Sequence, residues 1–399
     1  MMPIRILTAV PICDGHDSAI NTVNLELSRN GIEVVYLGYN RSAKVITRAA
    51  IQEDVVAVGI STYNGGHVEF FEEVLERLRR LRVEPEVKIF GGGGGTITRE
   101  DAAVMSKYGV DRIFFAGTPL TEILCYVKTR YAAVNQPVYD VSFHGTDQFL
   151  ARALTLAGTV GAATSVSPER SARDSELPRS TRIIGFTGPG GAGKTTLIDE
   201  LVYRFLRTHP QEHRLAILSH DPSAVGSGAL LGDRATMIYS QDDRVFMRSL
   251  ATRGQAGGLS PSTNRSLELI AKCGQFEFVL VETVGIGQEA IPFGIDSFPV
   301  DSVVLVMPPD YGSRLQLQKI AMIDAADIVV LNKSDLEASR RAAAEIEYRM
   351  LSSRAQSEQT LIRTQANLHK DAGVDQLFRH LHLDAVRPAR QGAPGPGRL

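Results

Sequence analysis

The chain has 399 residues, 43% of them hydrophobic and 22% charged, with 36 glycines and a net charge of −2. That length is enough for roughly two or three domains with sizeable cores. The near-neutral charge excludes a nucleic-acid coat or a polybasic membrane binder, which need excess positive charge to condense on phosphate.

No run of 18 apolar residues occurs, and the start MMPIRILTAV leads straight into a strand-like segment. The three cysteines, Cys13, Cys125 and Cys273, are odd in number and far apart. No membrane span, no disulfide framework and a cytoplasmic location are the expectation. In chain order, apolar runs read as buried parallel strands at Arg5–Val10, Glu33–Gly38, Val55–Ser61, Val87–Phe90 and Arg112–Ala116. Helical patterns lie between them near 18–29, 42–52, 67–81 and 98–108, and another follows from about 119. Five such units predict a doubly wound α/β domain of flavodoxin-like order over residues 1–135. Residues 136–180 include the Ser/Pro/Arg-rich stretch SVSPERSARDSELPRS and read as a linker, with a short helix around 146–158. A second doubly wound α/β domain is expected over 181–386, with strands at Arg182–Phe186, Leu215–Ser219, Phe278–Glu282, Ser302–Met307 and Ile328–Asn332. The tail 387–399 is too rich in Pro, Gly and Arg to pack.

Gly188-Pro-Gly190-Gly191-Ala192-Gly193-Lys194-Thr195 is a full GxxxxGK[ST], followed by Thr196, between the strand RIIGF and an amphipathic helix. Glycines let backbone N–H groups curl around phosphate oxygens, and the helix N-terminus adds its positive dipole end. Lys194 supplies charge at the β/γ-phosphates and Thr195 a hydroxyl for Mg²⁺. Asn332-Lys333-Ser334-Asp335 ends an apolar strand on the same sheet edge. An NKxD there resembles the guanine-reading motif of GTPases, in which the Asp carboxylate accepts from N1–H and the 2-amino group, donors that adenine lacks. Thr364-Gln365-Ala366 is a candidate for a further loop under the base. Glu282 and Asp221 end neighbouring strands, where acids converge on an Mg²⁺–phosphate centre.

In the first domain, three loops should meet at the carboxyl edge: Cys13-Asp14-Gly15-His16-Asp17, Ser61-Thr62-Tyr63-Asn64, and the five glycines Gly91 to Gly95. Asp14 and His16 read as a carboxylate–histidine pair of the kind that supports a metal-ligating imidazole. The costly glycine run is read as backbone on which a bulky ligand lies directly.

DPS at 221–223, GALLGDRATM at 228–237, MRSLATRG at 247–254, ETVGIGQ at 282–288 and NKSD resemble the G-protein chaperones of adenosylcobalamin-dependent acyl-CoA mutases over roughly 180–385. The resemblance implies that Thr195, Asp221, Asp233, Glu282 and Thr283 hold Mg²⁺, that Lys194 and Glu282 act in GTP hydrolysis, and that a homodimer forms. Ile286 follows Gly285, so a Ras-type water-positioning Gln is absent there and slow intrinsic hydrolysis is expected. The first domain resembles cobalamin-binding domains carrying D-x-H-x-x-G, S-x-L and GG. That implies His16 as lower cobalt ligand, Asp14 behind it, and Ser61, Gly91 and Gly92 against the displaced nucleotide tail. Ala19 stands where the motif has Gly and Tyr63 where it has Leu, so weakened binding is expected. DGHD, GYNRS, STYNGGHVEFF and FGGGGG resemble the fused isobutyryl-CoA mutases, which join a cobalamin domain, a G domain and a mutase barrel.

A barrel needs about 250 residues, and only the tail 387–399 follows the second domain in these 399. The expectation is therefore a cobalamin-binding small subunit fused to its GTPase chaperone, serving a large acyl-CoA mutase subunit in trans. A GTP-controlled cobalamin carrier or sensor without a mutase stays open, as does a plain P-loop GTPase. NKSD argues against a kinase.

Overall fold

A computed structural model describes residues 3–83, 86–132, 146–158, 181–224, 227–273, 275–285, 292–293, 300–311, 322–352 and 359–383. The first strands are β1 (Arg5–Ala9), β2 (Glu33–Tyr36), β3 (Ala57–Ser61), β4 (Lys88–Gly92) and β5 (Arg112–Phe114). Between them run α1 (Ser18–Arg29), α2 (Ala43–Gln52), α3 (His67–Arg80) and α4 (Arg99–Tyr108), and α5 (Leu120–Ala132) follows. Local chemistry sets the ends. The Ser42 hydroxyl accepts from the Val45 N–H at the start of α2, and Thr98 and Asp101 form a reciprocal capping box on α4. Gly109, at φ +116°, then ends α4 in a conformation that L side chains rarely adopt. These strands are parallel, and the order β5-β4-β3-β1-β2 is the flavodoxin-like one expected. Loops after β1, β3 and β4 therefore open on one edge.

That sheet has a sixth strand that the sequence did not suggest. Ala229–Leu231 (β8) pairs in parallel with β2, in register Glu33 to Ala229 and Val35 to Leu231. It comes from within the chain of the second domain and covers an edge strand that would otherwise expose unpaired backbone. The second sheet holds β6 (Arg182–Thr187), β7 (Leu215–Asp221), β9 (Val245–Ala251), β10 (Phe278–Glu282), β11 (Ser302–Met307), β12 (Ile328–Leu331) and β13 (Thr360–Arg363). Its order is β13-β12-β11-β6-β10-β7-β9, all parallel. Cores lie on both faces, as a parallel sheet requires.

The expected short helix is α6 (Asp147–Ala157). Its Leu150 and Leu154 enter the same core as Phe246, Leu267 and Ile270, each burial contributing about 1.5–3 kcal/mol. Asp147 accepts from Gln52 of α2 at 2.9 Å and from Arg214 at 2.6 Å, which fastens this helix to both sheets. The rest of the expected linker, residues 286–291 after Gly285, and the tail 387–399 lie outside the described residues. Among the described residues no helix is long and apolar enough to cross a membrane, and the three cysteines are unbridged.

Candidate functional site

The second sheet brings its candidate residues to one edge. After β6 the loop 188–193 turns into α7 (Lys194–Thr208) through Gly188, Gly191 and Gly193, all at positive φ. Gly193 is required twice over, because a Cβ there would lie 2.5 Å from Asn332 Nδ2. Ala192 is buried and offers its carbonyl to Asn332 Nδ2 at 2.9 Å. Asn332 Oδ1 accepts from the Thr364 hydroxyl at 3.0 Å and the Ala366 N–H at 3.1 Å. Asn332 thus clamps the phosphate loop to the 364–366 loop, and Lys333 and Asp335 stay exposed beside it. Gly190 lies against Gly285, where a Cβ would come within 2.5 Å of the Gly190 Cα. Thr196 is exposed on the first turn of α7.

Lys194 is buried and donates to the carbonyls of Gly188 at 3.0 Å and Pro189 at 3.1 Å. Burial lowers its pKa, and the carboxylates of Glu282 and Asp233 oppose that shift. Thr195 Oγ1 donates to Glu282 Oε1 at 2.6 Å. Asp233 accepts from the Ser219 hydroxyl, and Thr283 Oγ1 lies 3.4 Å from the Thr187 hydroxyl. Burial raises Asp221, Asp233 and Glu282 above the usual carboxylate range, and the Asp233 carboxylate adds repulsion at Asp221 and Glu282, while Ser219 and Lys194 oppose the shift at Asp233. Asp221 Oδ2 and Glu282 Oε2 are buried without a hydrogen-bond partner. Crowded carboxylates with orphaned oxygens are what a divalent cation would relieve. Among the described residues no three His, Cys, Asp or Glu side chains form a metal site by themselves.

In the first sheet, the loop after β1 places Asp14 Oδ1 at 2.9 Å from His16 Nδ1. Asp14 is buried (2% exposed), whereas the His16 side chain is 60% exposed. The other Asp14 oxygen accepts from the N–H groups of Tyr63 at 2.6 Å and Asn64 at 3.2 Å. Burial alone would push this carboxyl up, but the N–H groups of Tyr63 and His16, the His16 ring and the Asn64 N–H hold it at about 2. An ionised carboxylate only accepts, so Nδ1 is the donor in this pair and Nε2 lies outside it, on a side chain that is mostly exposed. The Tyr63 ring lies against the imidazole at a centroid separation of 4.6 Å.

A cavity of about 410 Å³ opens beside this loop, lined by Ala19, Ser61, Gly91 and Gly92 among others. The fold itself also requires the glycine run. A Cβ at Gly92 would lie 2.6 Å from the Phe114 carbonyl oxygen and one at Gly94 2.5 Å from the Tyr63 ring. At Gly91 it would strike Phe71, and at Gly93 the Thr62 carbonyl. The chain's own neighbours demand these glycines, and Gly91 to Gly94 also line the cavity. Gly95 differs, with open space around it and φ +75°.

Two nested sites on parallel-sheet edges find their counterparts in known families. Residues 150–390 match the methylmalonyl Co-A mutase-associated GTPase MeaB, and residues 4–124 match the B12 binding domain. The chain belongs to the mutase-associated GTPase family. It is similar to fused isobutyryl-CoA mutase from Geobacillus kaustophilus, 36% identical over 94% of this chain and 36% of the relative. The fused isobutyryl-CoA mutase of Cupriavidus metallidurans is 35% identical over 95% of this chain and 35% of the relative. The mouse methylmalonic aciduria type A homolog is 38% identical over 44% of this chain and 42% of that one. This mutase-associated GTPase spans about a third of the length of the curated fused relatives it matches.

Sequence reasoning missed two groups beside the GTPase site. His220 is buried, with Nδ1 2.7 Å from the Glu282 carbonyl and Nε2 2.8 Å from Thr263 Oγ1, and burial lowers it to about 4. Asp199, on α7, caps the N–H groups of Ile238 at 3.0 Å and Tyr239 at 2.9 Å. Neither belongs to a spaced motif; His220 has only its place before the DPS segment as a signal.

Proposed function

We propose that this chain is the cobalamin-carrying and GTP-controlled part of an acyl-CoA mutase system, acting with a large mutase subunit in trans. In this reading Gly188, Gly190, Gly191, Ala192, Gly193, Lys194, Thr195 and Thr196 cradle the GTP phosphates, and Asn332, Lys333 and Asp335 recognise guanine. Thr195, Asp221, Asp233, Glu282 and Thr283 hold Mg²⁺, which would neutralise charge on the phosphates. Lys194 and Glu282 serve hydrolysis, through the charge of Lys194 and the hold of Glu282 on the Thr195 hydroxyl. In the first domain, His16 would hold the cobalt of a bound cobalamin, and Asp14 would fix the imidazole tautomer. Ser61, Gly91 and Gly92, which line the cavity, would receive the cofactor's nucleotide tail. Adenosylcobalamin would supply a cobalt–carbon bond weak enough to start a 1,2-rearrangement of an acyl-CoA skeleton, which is the cofactor's own chemistry. GTP binding and hydrolysis would gate cofactor loading and protection.

The observation that carries this reading is the Asp14–His16 pair, with its exposed imidazole, on the edge that also opens the 410 Å³ cavity. The likeness to fused mutases supports an acyl-CoA mutase as partner. Adenosylcobalamin titration tests the first half: a base-off, histidine-on spectrum is expected from the wild type and none from His16→Ala. An unchanged cofactor spectrum with wild-type protein refutes it. A pull-down with adenosylcobalamin and GTP tests the second half, and recovery of no mutase-barrel protein would leave a carrier or sensor as the function.

A further inference from the structure

The GYNRS segment, residues 38–42, belongs to neither site as described, yet it touches the chain of both. On one side Asn40 braces the ligand loop: its Oδ1 accepts the Cys13 N–H at 3.0 Å and its own N–H donates to the Asp14 carbonyl at 3.3 Å. On the other side Arg41 reaches into the four-residue turn Asp233–Thr236 (α8). Its Nε donates to the Leu37 carbonyl at 2.6 Å and its Nη2 to the Ala235 carbonyl at 2.7 Å. Gly38, at φ +81°, lets the two backbones approach, since a Cβ there would sit 3.3 Å from the Ala235 Cβ. The same turn is gripped from the first domain a second time, where Arg234 Nε donates to the buried Glu53 Oε1 at 2.6 Å. Asp233, at the head of this turn, points the other way, into the carboxylate cluster of the GTPase site, with its carboxylate on Ser219.

We propose that Asn40 and Arg41 are positioning residues that make one joint of the cobalt-ligand loop and the Asp233 turn. A shift of Asp233 on binding Mg²⁺ and GTP is carried by Ala235 and Arg41 to Asn40, and by Asn40 to the backbone of Cys13 and Asp14. The inference rests on the proposed roles of His16 and Asp233 and adds the residues that connect them. Packed, hydrogen-bonded elements switch between discrete arrangements rather than deforming smoothly, so a joint of this kind transmits a small displacement. Linkage then requires reciprocity: nucleotide changes cobalamin affinity by the same factor by which cobalamin changes nucleotide affinity.

The experiment is a cobalamin titration read by visible spectrum, with and without Mg²⁺ and a non-hydrolysable GTP analogue, repeated as a nucleotide titration with and without cobalamin. In the wild type the affinity ratio should depart from one by roughly 5- to 150-fold, equally in both directions. Arg41→Ala and Asn40→Ala should bring the ratio close to one while each ligand still binds alone, and Arg41→Lys should recover part of it. Arg48→Ala is the control, because it removes contacts to Asp243 and the Val245 carbonyl that join the domains away from this joint. It should leave the ratio unchanged. A wild-type ratio of one, an undiminished ratio in Arg41→Ala, or an equal loss in Arg48→Ala overturns the joint while leaving the two binding sites standing. Failure of the wild type to bind cobalamin at all overturns the functional reading together with it.

Discussion

Asp14→Asn separates what the Asp14 carboxylate does for the loop from what it does for His16. Asp14 accepts from three backbone N–H groups, those of Tyr63, Asn64 and His16, and from the His16 ring. These bonds hold it at about 2, against 3.8 when free. The folded-state pKa is depressed, so the stabilisation is fully present above the unfolded value and is lost as pH falls between about 4 and 2. The difference corresponds to about 2 kcal/mol favouring the closed loop at neutral pH. Hydrogen exchange at the Tyr63 and Asn64 amides reads this locally and should quicken about 30-fold in the variant at pH 7. An asparagine also no longer fixes the Nδ1–H tautomer by charge, and loss of a carboxylate behind a metal-bound histidine costs about 10- to 100-fold in affinity. Cobalamin titration at pH 7 should show that loss while GTP affinity stays unchanged. Amide exchange and cobalamin affinity both within twofold of the wild type would refute the reasoning.

Asp335→Asn should weaken GTP by at least about tenfold, since two charge-assisted hydrogen bonds become neutral or reversed, and the same variant should bind xanthosine triphosphate better than the wild type in a competition assay. Ala19→Phe should fill part of the cavity that Ala19 lines and reduce cobalamin affinity with GTP binding intact, as measured by the same spectral titration. Glu53→Gln should lower stability by about 3–5 kcal/mol, because it leaves the buried Arg234 guanidinium without its carboxylate, while Arg5 keeps Glu33. With no tryptophan in the chain, far-UV circular dichroism during urea unfolding is the measurement, and an unchanged midpoint counts against the network.

Long apolar runs made most of the fold legible. Ser18–Arg29, Phe278–Glu282 and Ser302–Met307 have the limits that periodicity suggested, because buried parallel strands carry their signal in every residue. β8, β9 and β13 escaped for distinct reasons. Ala229–Leu231 is three residues long, and its pairing partner lies far away in sequence on β2. β9 reads VFMRSLA, and its Arg248 and Ser249 look unfit for a core until Glu53 is beside them. Arg248 is buried at 2% exposure, within 3.9 Å of that carboxylate. The phosphate loop, NKSD and the D-x-H loop were legible because backbone chemistry fixes their spacing. The steric need for the glycine run was not, since Phe71, Thr62 and Phe114 meet it only in the folded chain.

The same buried ion network argues that the two modules make one folding unit. Glu53 is fully buried, and burial alone would keep it protonated; Arg234, Arg5 and Arg248 hold it at about 2 instead. Arg5 belongs to the first domain, whereas Arg234 and Arg248 come from the second, and the Ser249 N–H and hydroxyl complete the shell at 3.1 Å from Glu53 Oε1. Neither half satisfies these charges alone: the first keeps Glu53 with a single guanidinium, and the second keeps two buried guanidiniums without a carboxylate. The edge of β2 tells the same story, because β8 covers it only when the second domain is docked. A buried network of this sort is weak as a source of stability and strong as a specifier, since any other docking of the two sheets leaves a charge stranded. It therefore fixes the register of the Asp233 turn against the cobalamin domain, which is the geometric condition for one site to sense the other.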